Sequence, residues 1–208
     1  MAVLQKRPPS QKGEPLWAIA QLFPYQGYWS ESDYLDLNTN HLIEFSDGYI
    51  EVLPMPTRSH QNIVAFLYEA ILLFVRANQL GKVWFAPLRV RLWPRTYREP
   101  DLVFITAENM AKQKGDYPHG ADLVVEVVSG SKEDRERDLI KKRAEYAEAG
   151  IAEYWIVDPK FKRITVLHLA QDNYEVHGEF AADDTAASKL LAGFAVAVND
   201  VFAAANED

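Results

Sequence analysis

One strand-helix-strand unit, residues 122–159, constrains the fold of this 208-residue chain more than any other segment. The run DLVVEVVS is apolar enough for a strand buried on both faces, and EYWIVD is a second apolar strand that ends at Pro159. Between them, residues 133–149 have the pattern of a charged amphipathic helix that ends before Gly150. Parallel strands joined by a helix cross over right-handedly. The unit therefore predicts an α/β or α+β fold around a mixed central sheet flanked by helices.

Glu126 is the anomaly in the first of these strands, because valines surround it. An isolated carboxylate in a buried strand costs free energy unless another group compensates it. On the alternation of a strand, Asp122, Val124, Glu126 and Val128 share one face. The sequence thus predicts a partner for Glu126 on that side of the sheet.

The remaining segments predict one domain over residues 17–208, preceded by a flexible, polar N-terminal arm over residues 1–16. Two strands around an Asp47-Gly48 turn form an N-terminal hairpin, and Ser30 caps a short helix before it. Ile63, Leu67 and other apolar residues at helical spacing predict a long helix. Further strands are predicted in KVWFAP, LRVRLW, PDLVFIT, RITVLHLA and NYEVHG, before a small-residue tail.

Composition limits the possible functions. No run reaches the ~20 apolar residues that span a bilayer, and the polar start lacks the core of a secretory signal, so a cytoplasmic protein is expected. There is no cysteine, and the five histidines lack the close spacing of a zinc site. A net charge of −8 disfavours nonspecific coating of nucleic acid, although a local basic cleft is compatible with it. For most of the residues that could line such a cleft, a position on a solvated helix face is an equal alternative. These residues are Arg89, Arg91, Arg95, Arg98, Lys132, Arg135, Arg137, Lys141, Lys142 and Arg143.

Two carboxylates and one lysine are the candidate site residues. Asp101 follows Pro100 at the start of the strand DLVFI, and pairing of that strand with the Glu126 strand would bring both carboxylates together. Oxygen ligands of this kind suit a hard cation such as Mg²⁺. Lys142 lies on the apolar stripe of the following helix, which directs it toward the sheet, and Asp138 stands four residues before it.

The runs PDLVFI, LVVEVVS and DLIKKRAEYAEAGIAEYWIVDP, with LIEFSDGYIEVLPMPTRSHQNIVAFL upstream, resemble the Uma-two family of predicted restriction endonucleases. That bacterial family, abundant in cyanobacteria, belongs to the PD-(D/E)XK nuclease superfamily. The resemblance covers roughly residues 30 to 202. It implies a restriction-endonuclease-like core with an N-terminal hairpin and C-terminal strands.

The resemblance also implies roles for individual residues. Asp101 and Glu126 match the superfamily's two metal-binding acidic positions, but Val128 stands where the superfamily has its catalytic lysine. In the Uma-two group that lysine has moved to the next helix, where this chain has Lys142. The family adds Glu44 as a further acidic site residue and His60 as an accessory polar group.

The implied activity is Mg²⁺- or Mn²⁺-dependent hydrolysis of DNA phosphodiester bonds by an endonuclease, with homodimers plausible for double-strand cleavage. The alternative is a catalytically inactive nuclease-fold module that binds nucleic acid or a protein partner. In that case Asp101, Glu126 and Lys142 form a buried ion network that fixes a helix on the sheet.

Overall fold

The computed structural model describes residues 23–37, 39, 41–130 and 135–206, so the predicted N-terminal arm and Lys132 lie outside the described residues. The elements are α1 (Glu31–Leu35), β1 (Ile43–Ser46), β2 (Tyr49–Val52), α2 (Arg58–Ala77), β3 (Gly81–Phe85), β4 (Val90–Trp93), β5 (Thr96–Arg98), β6 (Leu102–Thr106), α3 (Ala107–Met110), β7 (Leu123–Val127), a π-helical turn (Arg137–Lys141) continuing as α4 (Lys142–Glu148), β8 (Glu153–Asp158), β9 (Arg163–Ala170), β10 (Asn173–Phe180), β11 (Thr185–Ala187), β12 (Ala195–Ala197) and α5 (Val198–Ala204). No helix in these ranges is long and apolar enough to cross a membrane.

The central sheet has six strands in the order β10-β9-β8-β7-β6-β3. Strands β7 and β8 are parallel, with Val127 opposite Val157, and the other neighbours are antiparallel. The helix that joins β7 to β8 is the predicted crossover, although residues 133–134 of that prediction lie outside the described part. The mixed sheet predicted from the strand-helix-strand unit is therefore confirmed.

The two faces of this sheet are covered by different helices. Val125 and Val127 pack in one core with α2 and α5, whereas Val124 and Val128 pack in another with Tyr146 of α4. Glu126 shares the alternation of Val124 and Val128, so its side chain enters the α4 side. The predicted division of β7 into two faces is confirmed.

A smaller antiparallel sheet, in the order β2-β1-β5-β4, contains the predicted hairpin. The three-residue strand β5 is not indicated by the sequence pattern, because so short a run carries little periodicity. Its Arg98 is 1% exposed and joins this sheet to α4 through two hydrogen bonds to the Glu145 carboxylate. Arg98 also donates to the carbonyls of Phe45 and Tyr97. This guanidinium fixes the small sheet against the helix that carries Lys142.

The C-terminal segment is anchored by the buried carboxylate of Glu153 on β8. It accepts hydrogen bonds from the Trp155 indole and the Ser188 hydroxyl, at 2.7 and 2.6 Å, and from the backbone N–H groups of Lys189 and Leu190, at 2.7 and 2.8 Å. All four partners are donors, so an amide at this position would set an NH₂ group against N–H groups.

Glu153→Gln is expected to lower the free energy of unfolding by about 2–4 kcal/mol, because hydrogen bonds to a charged acceptor are the strong ones. Urea denaturation of both proteins measures the change. The matched control is Glu175→Gln, whose side chain is 69% exposed; it should change stability by no more than about 0.5 kcal/mol. Equal effects of the two substitutions would contradict the anchoring role.

Candidate active site

Glu126 has two buried hydrogen-bond partners, both on α4. Its Oε1 lies 2.8 Å from the Lys142 ammonium and accepts a hydrogen bond of 2.7 Å from the Tyr146 hydroxyl. Lys142 and Tyr146 are one helical turn apart, so both reach the same point of the sheet. The partner that the valine-rich strand predicts for Glu126 is thus the helix that follows it.

The Lys142 ammonium is shared by three carboxylates. Its Nζ lies 3.0 Å from Glu44 Oε1 as well as 2.8 Å from Glu126 Oε1, while Asp138 Oδ1 stands farther away at 3.8 Å. The Lys142 side chain is only 2% exposed. One ammonium therefore serves an acidic cluster contributed by β1, β7 and the crossover helix.

Burial, together with repulsion between neighbouring carboxylates, raises the pKa of two carboxylates in this cluster. Burial raises the pKa of Glu126 to about 8; Lys142 opposes this shift, and Asp101, Asp138 and Glu44 reinforce it. Burial also raises the pKa of Asp138. Glu44 differs: burial acts upward on its pKa, but the charges of Lys142 and Arg98 lower it overall.

The π-helical turn Arg137–Lys141 places Asp138 inside this cluster. Asp138 is 3% exposed, and its backbone carbonyl accepts a hydrogen bond from the buried Tyr154 hydroxyl. A π turn carries one residue more than an α turn and is frequent at functional sites. Here it precedes Lys142 directly, so the lysine begins the regular helix α4.

Asp101 stands beside Glu126 because β6 and β7 pair antiparallel, with Leu102 opposite Val125. Its Oδ2 accepts a hydrogen bond of 2.7 Å from the backbone N–H of Val127. The convergence of the two carboxylates that the sequence predicts on pairing of these strands is present in the structure.

His60, in the first turn of α2, places its Nε2 3.3 Å from the same Asp101 Oδ2. Burial lowers the pKa of His60, but the hydrogen bond and charge of Asp101 raise it above its usual value, with Glu126 adding to the effect. The opposite ring nitrogen, Nδ1, is buried and has no hydrogen-bond partner in the part of the chain that the structure describes. His60 thus lies against Asp101, at the cleft to which the family resemblance assigns it.

These side chains open onto a cavity of about 200 Å³. Asp101, Glu126 and Lys142 line it together with His60. The apolar part of its lining consists of Leu42, Leu53, Pro54, Met55, Pro56, Ala86, Pro87 and Val127. Glu44 is not part of the cavity wall and lies behind Lys142, where it shares the ammonium. Glu44 therefore contacts the other predicted site residues through Lys142 and does not itself reach the cavity.

Two residues at the site are missed by the sequence predictions. Glu99 lines the cavity and is 6% exposed; burial raises its pKa to about 7, against the charge of Arg89. It lies two residues before Asp101 in extended chain, which is the signal that could have found it. Tyr146, four residues after Lys142, could have been found by helical spacing.

Several of the basic residues predicted as candidates for a cleft instead form ion pairs, hydrogen bonds or cation–π contacts within the protein. Arg98 binds Glu145, Arg135 makes two hydrogen bonds to Asp158 at 3.0 and 2.6 Å, and Arg137 lies 3.4 Å from Asp138. The Arg89 guanidinium stacks on Tyr34, 4.6 Å from the ring centre. These cations contribute to the fold, and the cavity itself is acidic.

The carboxylates that line the cavity are the possible ligands for a divalent metal. In the described ranges, no three histidine or acidic side chains are grouped closely enough to hold a metal ion by themselves. Two carboxylates, Asp101 and Glu126, line the cavity side by side, which suits Mg²⁺, because this ion usually takes one or two protein carboxylates and keeps several waters. Burial is the main cause of the raised pKa of Glu126, and the neighbouring carboxylates of Asp101, Asp138 and Glu44 add to it. A bound cation would offset the charge of these carboxylates. The residues present therefore fit Mg²⁺ or Mn²⁺.

A mixed sheet, a crossover helix that supplies a lysine and an acidic pair on adjacent strands define a restriction-endonuclease-like protein. A family model described as "Uma2: Putative restriction endonuclease" matches residues 29–199. The chain belongs to this Uma2 family, as the resemblance in the sequence indicates.

A solved structure, a "putative nuclease belonging to DUF820" from Anabaena variabilis, is similar to this chain with a TM-score of 0.68. It is 18% identical, and the alignment covers 84% of this chain and 97% of the other. This similarity confirms the fold class predicted from the sequence. A search of curated proteins finds no match.

Proposed function

We propose that the protein is a metal-dependent endonuclease that hydrolyses DNA phosphodiester bonds. The observation that carries the proposal is the convergence of Asp101, Glu126 and Lys142 on one cavity wall, within a fold of the restriction-endonuclease-like class. The Uma2 membership and the nuclease description of the structural relative support it.

The two carboxylates would hold the metal. When bound, Mg²⁺ supplies Lewis-acid activation of the scissile phosphate and of the attacking water. Val127 N–H fixes the Asp101 carboxylate, and Tyr146 with Lys142 fixes that of Glu126. Their donors orient both carboxylates before substrate arrives, which is the preorganisation that electrostatic catalysis requires.

Lys142 keeps one donor for the cavity. An ammonium has three N–H donors, and among the carboxylates of the described residues only Glu126 and Glu44 lie within hydrogen-bond distance of its Nζ. The third is available to orient a water or to stabilise charge that develops on the phosphate. Glu44, behind the lysine, acts as a positioning residue that directs the ammonium toward Glu126.

One observation favours the alternative, an inactive nuclease-fold module. The Lys142 ammonium is almost enclosed, and the same contacts would hold α4 to the sheet in a protein without activity. Such a module would bind nucleic acid or a protein partner through other surfaces.

Metal titration and cleavage distinguish the two functions. Calorimetry with MgCl₂ or MnCl₂ should give a binding heat for the wild type, and Glu126→Gln should weaken metal binding at least about tenfold, because ligand loss removes a charged oxygen donor. Purified protein is incubated in parallel with plasmid and with single-stranded DNA, with metal or with EDTA. Absence of both metal heat and cleavage would reject the nuclease and leave the binding module.

A further inference from the structure

The turn between β8 and β9 concentrates the exposed positive charge that the cavity lacks. Residues 160–163 read KFKR, and all four side chains are exposed. Lys160 and Lys162 have no carboxylate partner among the described residues, and Arg163 has a distant one, Glu179, at 3.8 Å. In a chain of net charge −8, this turn is a local concentration of exposed positive charge, which attracts anions.

The turn lies at the same end of the sheet as the cavity. Because β7 and β8 are parallel with Val127 opposite Val157, the C-terminal ends of both strands lie at that end of the sheet. Ser129, just after β7, lines the cavity, and Asp158 ends β8 immediately before the turn. Arg135 joins the two regions, since it binds Asp158 and stands two residues before Arg137 of the cavity wall.

Phe161 stands at the centre of this positive charge and is 61% exposed. The Arg135 guanidinium lies 5.1 Å from its ring centre and the Lys160 ammonium 5.5 Å away. Both cations lie over the ring, so a base would stack on Phe161 in place of the Lys160 ammonium, which would then meet an adjoining phosphate. Duplex DNA hides its base faces in the helical stack, so a single strand is the form of DNA that uses both features.

We propose that this turn, Lys160, Phe161, Lys162 and Arg163, binds single-stranded DNA next to the cavity, with one base stacked on Phe161 and the phosphates held by the cations. The inference rests on the proposed function, which it deepens by naming the form of the substrate. It does not depend on cleavage, because the contacts involve neither the acidic cluster nor a metal.

Fluorescence anisotropy with a labelled oligothymidylate in EDTA tests the binding without hydrolysis. Phe161→Ala should weaken binding to the single strand about tenfold, and Phe161→Trp should restore it, because stacking tolerates any large ring. The affinity for a duplex of equal length should not change with Phe161→Ala.

The double variant Lys160→Ala/Lys162→Ala should also lose about tenfold in affinity, and the dependence of log affinity on log salt should become shallower by about 1.4, or ~0.7 for each phosphate contact. Lys112→Ala/Lys114→Ala is the matched control. Both lysines are exposed and have the same spacing as Lys160 and Lys162, although Lys112 pairs with Glu108; they lie beyond β6, at the opposite end of the sheet. This control should bind like the wild type.

Wild-type affinity in the Phe161→Ala and Lys160→Ala/Lys162→Ala variants would overturn the inference, as would an equal loss in the Lys112→Ala/Lys114→Ala control. No binding of the single strand by the wild type would overturn it too. Cleavage with Mg²⁺ or Mn²⁺ is scored separately, so binding without cleavage counts against the nuclease only.

Discussion

Replacement of Lys142 by methionine is expected to lower the free energy of unfolding by about 3–5 kcal/mol at pH 8. Methionine fills a similar volume but removes the ammonium 2.8 Å from Glu126 and 3.0 Å from Glu44. A buried pair that loses one partner leaves an uncompensated charge, and this is costlier than replacement of the whole pair by apolar groups. Chemical denaturation monitored by tryptophan fluorescence measures the loss.

The loss should be smaller at pH 5 than at pH 8. Burial raises the folded-state pKa of Glu126 well above the unfolded value of about 4.3, and loss of the ammonium removes the charge that opposes this rise. The same loss removes one of the two charges that lower the pKa of Glu44, while Arg98 remains. The folded variant then binds more protons than the unfolded chain, so its stability falls as pH rises through this window. In the wild type, the lowered pKa of Glu44 acts oppositely, and its contribution is lost on acidification.

Lys141→Met is the matched control for this experiment. The neighbouring lysine is 48% exposed, and its carboxylate partner, Glu51, lies 3.6 Å away at the surface. Its replacement should change stability by no more than about 0.5 kcal/mol at either pH. Equal losses in the two variants, or a Lys142→Met loss that grows on acidification, would contradict the ion cluster.

Asp101→Asn is expected to reduce metal-dependent cleavage of DNA at least about 100-fold while the protein remains folded. Asparagine keeps an oxygen that can accept the hydrogen bond from Val127 N–H, so the β6–β7 pairing is preserved. The substitution removes the negative charge with which Asp101 would hold the metal, and loss of one electrostatic contributor to a transition state typically costs 10²–10³ in rate. Rates of plasmid nicking with Mg²⁺ and Mn²⁺ measure the effect.

Asp122→Asn provides the corresponding control. Asp122 lies just before β7 and beside the C-terminal end of β6, whereas Asp101 lies just before the start of β6. Asp122 accepts hydrogen bonds from Thr106 N–H and the Asn109 amide and does not line the site cavity. Its replacement should leave the cleavage rate within about twofold, since it lies outside the proposed electrostatic site. Full cleavage by Asp101→Asn, with thermal stability close to that of the wild type, would reject Asp101 as a metal ligand.

The central unit is predictable because its signals are local and strong. The valine-rich strand, the apolar strand EYWIVD, Gly150 and Pro159 predict a parallel pair with a helical crossover, and β7 and β8 form that pair. Strand alternation and the apolar stripe of the helix also placed Glu126 and Lys142 on facing surfaces. Their 2.8 Å contact needed the structure, because residue spacing does not fix how deeply a helix packs on a sheet.

The other half of the cluster depends on contacts distant in sequence. Arg98 was predicted only as a candidate for an open cleft, yet it is buried between the small sheet and Glu145. No local pattern distinguishes an arginine that binds a buried carboxylate from one in solvent. The burial of Glu99 is equally hard to predict from the local sequence. It depends on the small sheet, whose Ile43 N–H donates a hydrogen bond to the Glu99 carboxylate.

The position of Lys142 on the crossover helix, and not on β7, affects the stage of folding at which the acidic cluster can form. A lysine two residues after Glu126 would reach the sheet edge as soon as β7 paired, but Lys142 arrives only after the π turn and α4 have docked, and Glu44 comes from a separate sheet. Because these contacts join pieces distant in sequence, which come together late in folding, a nascent or partly unfolded chain presents its carboxylates without their ammonium. Correct folding of the whole domain is thus a precondition for any chemistry at this centre.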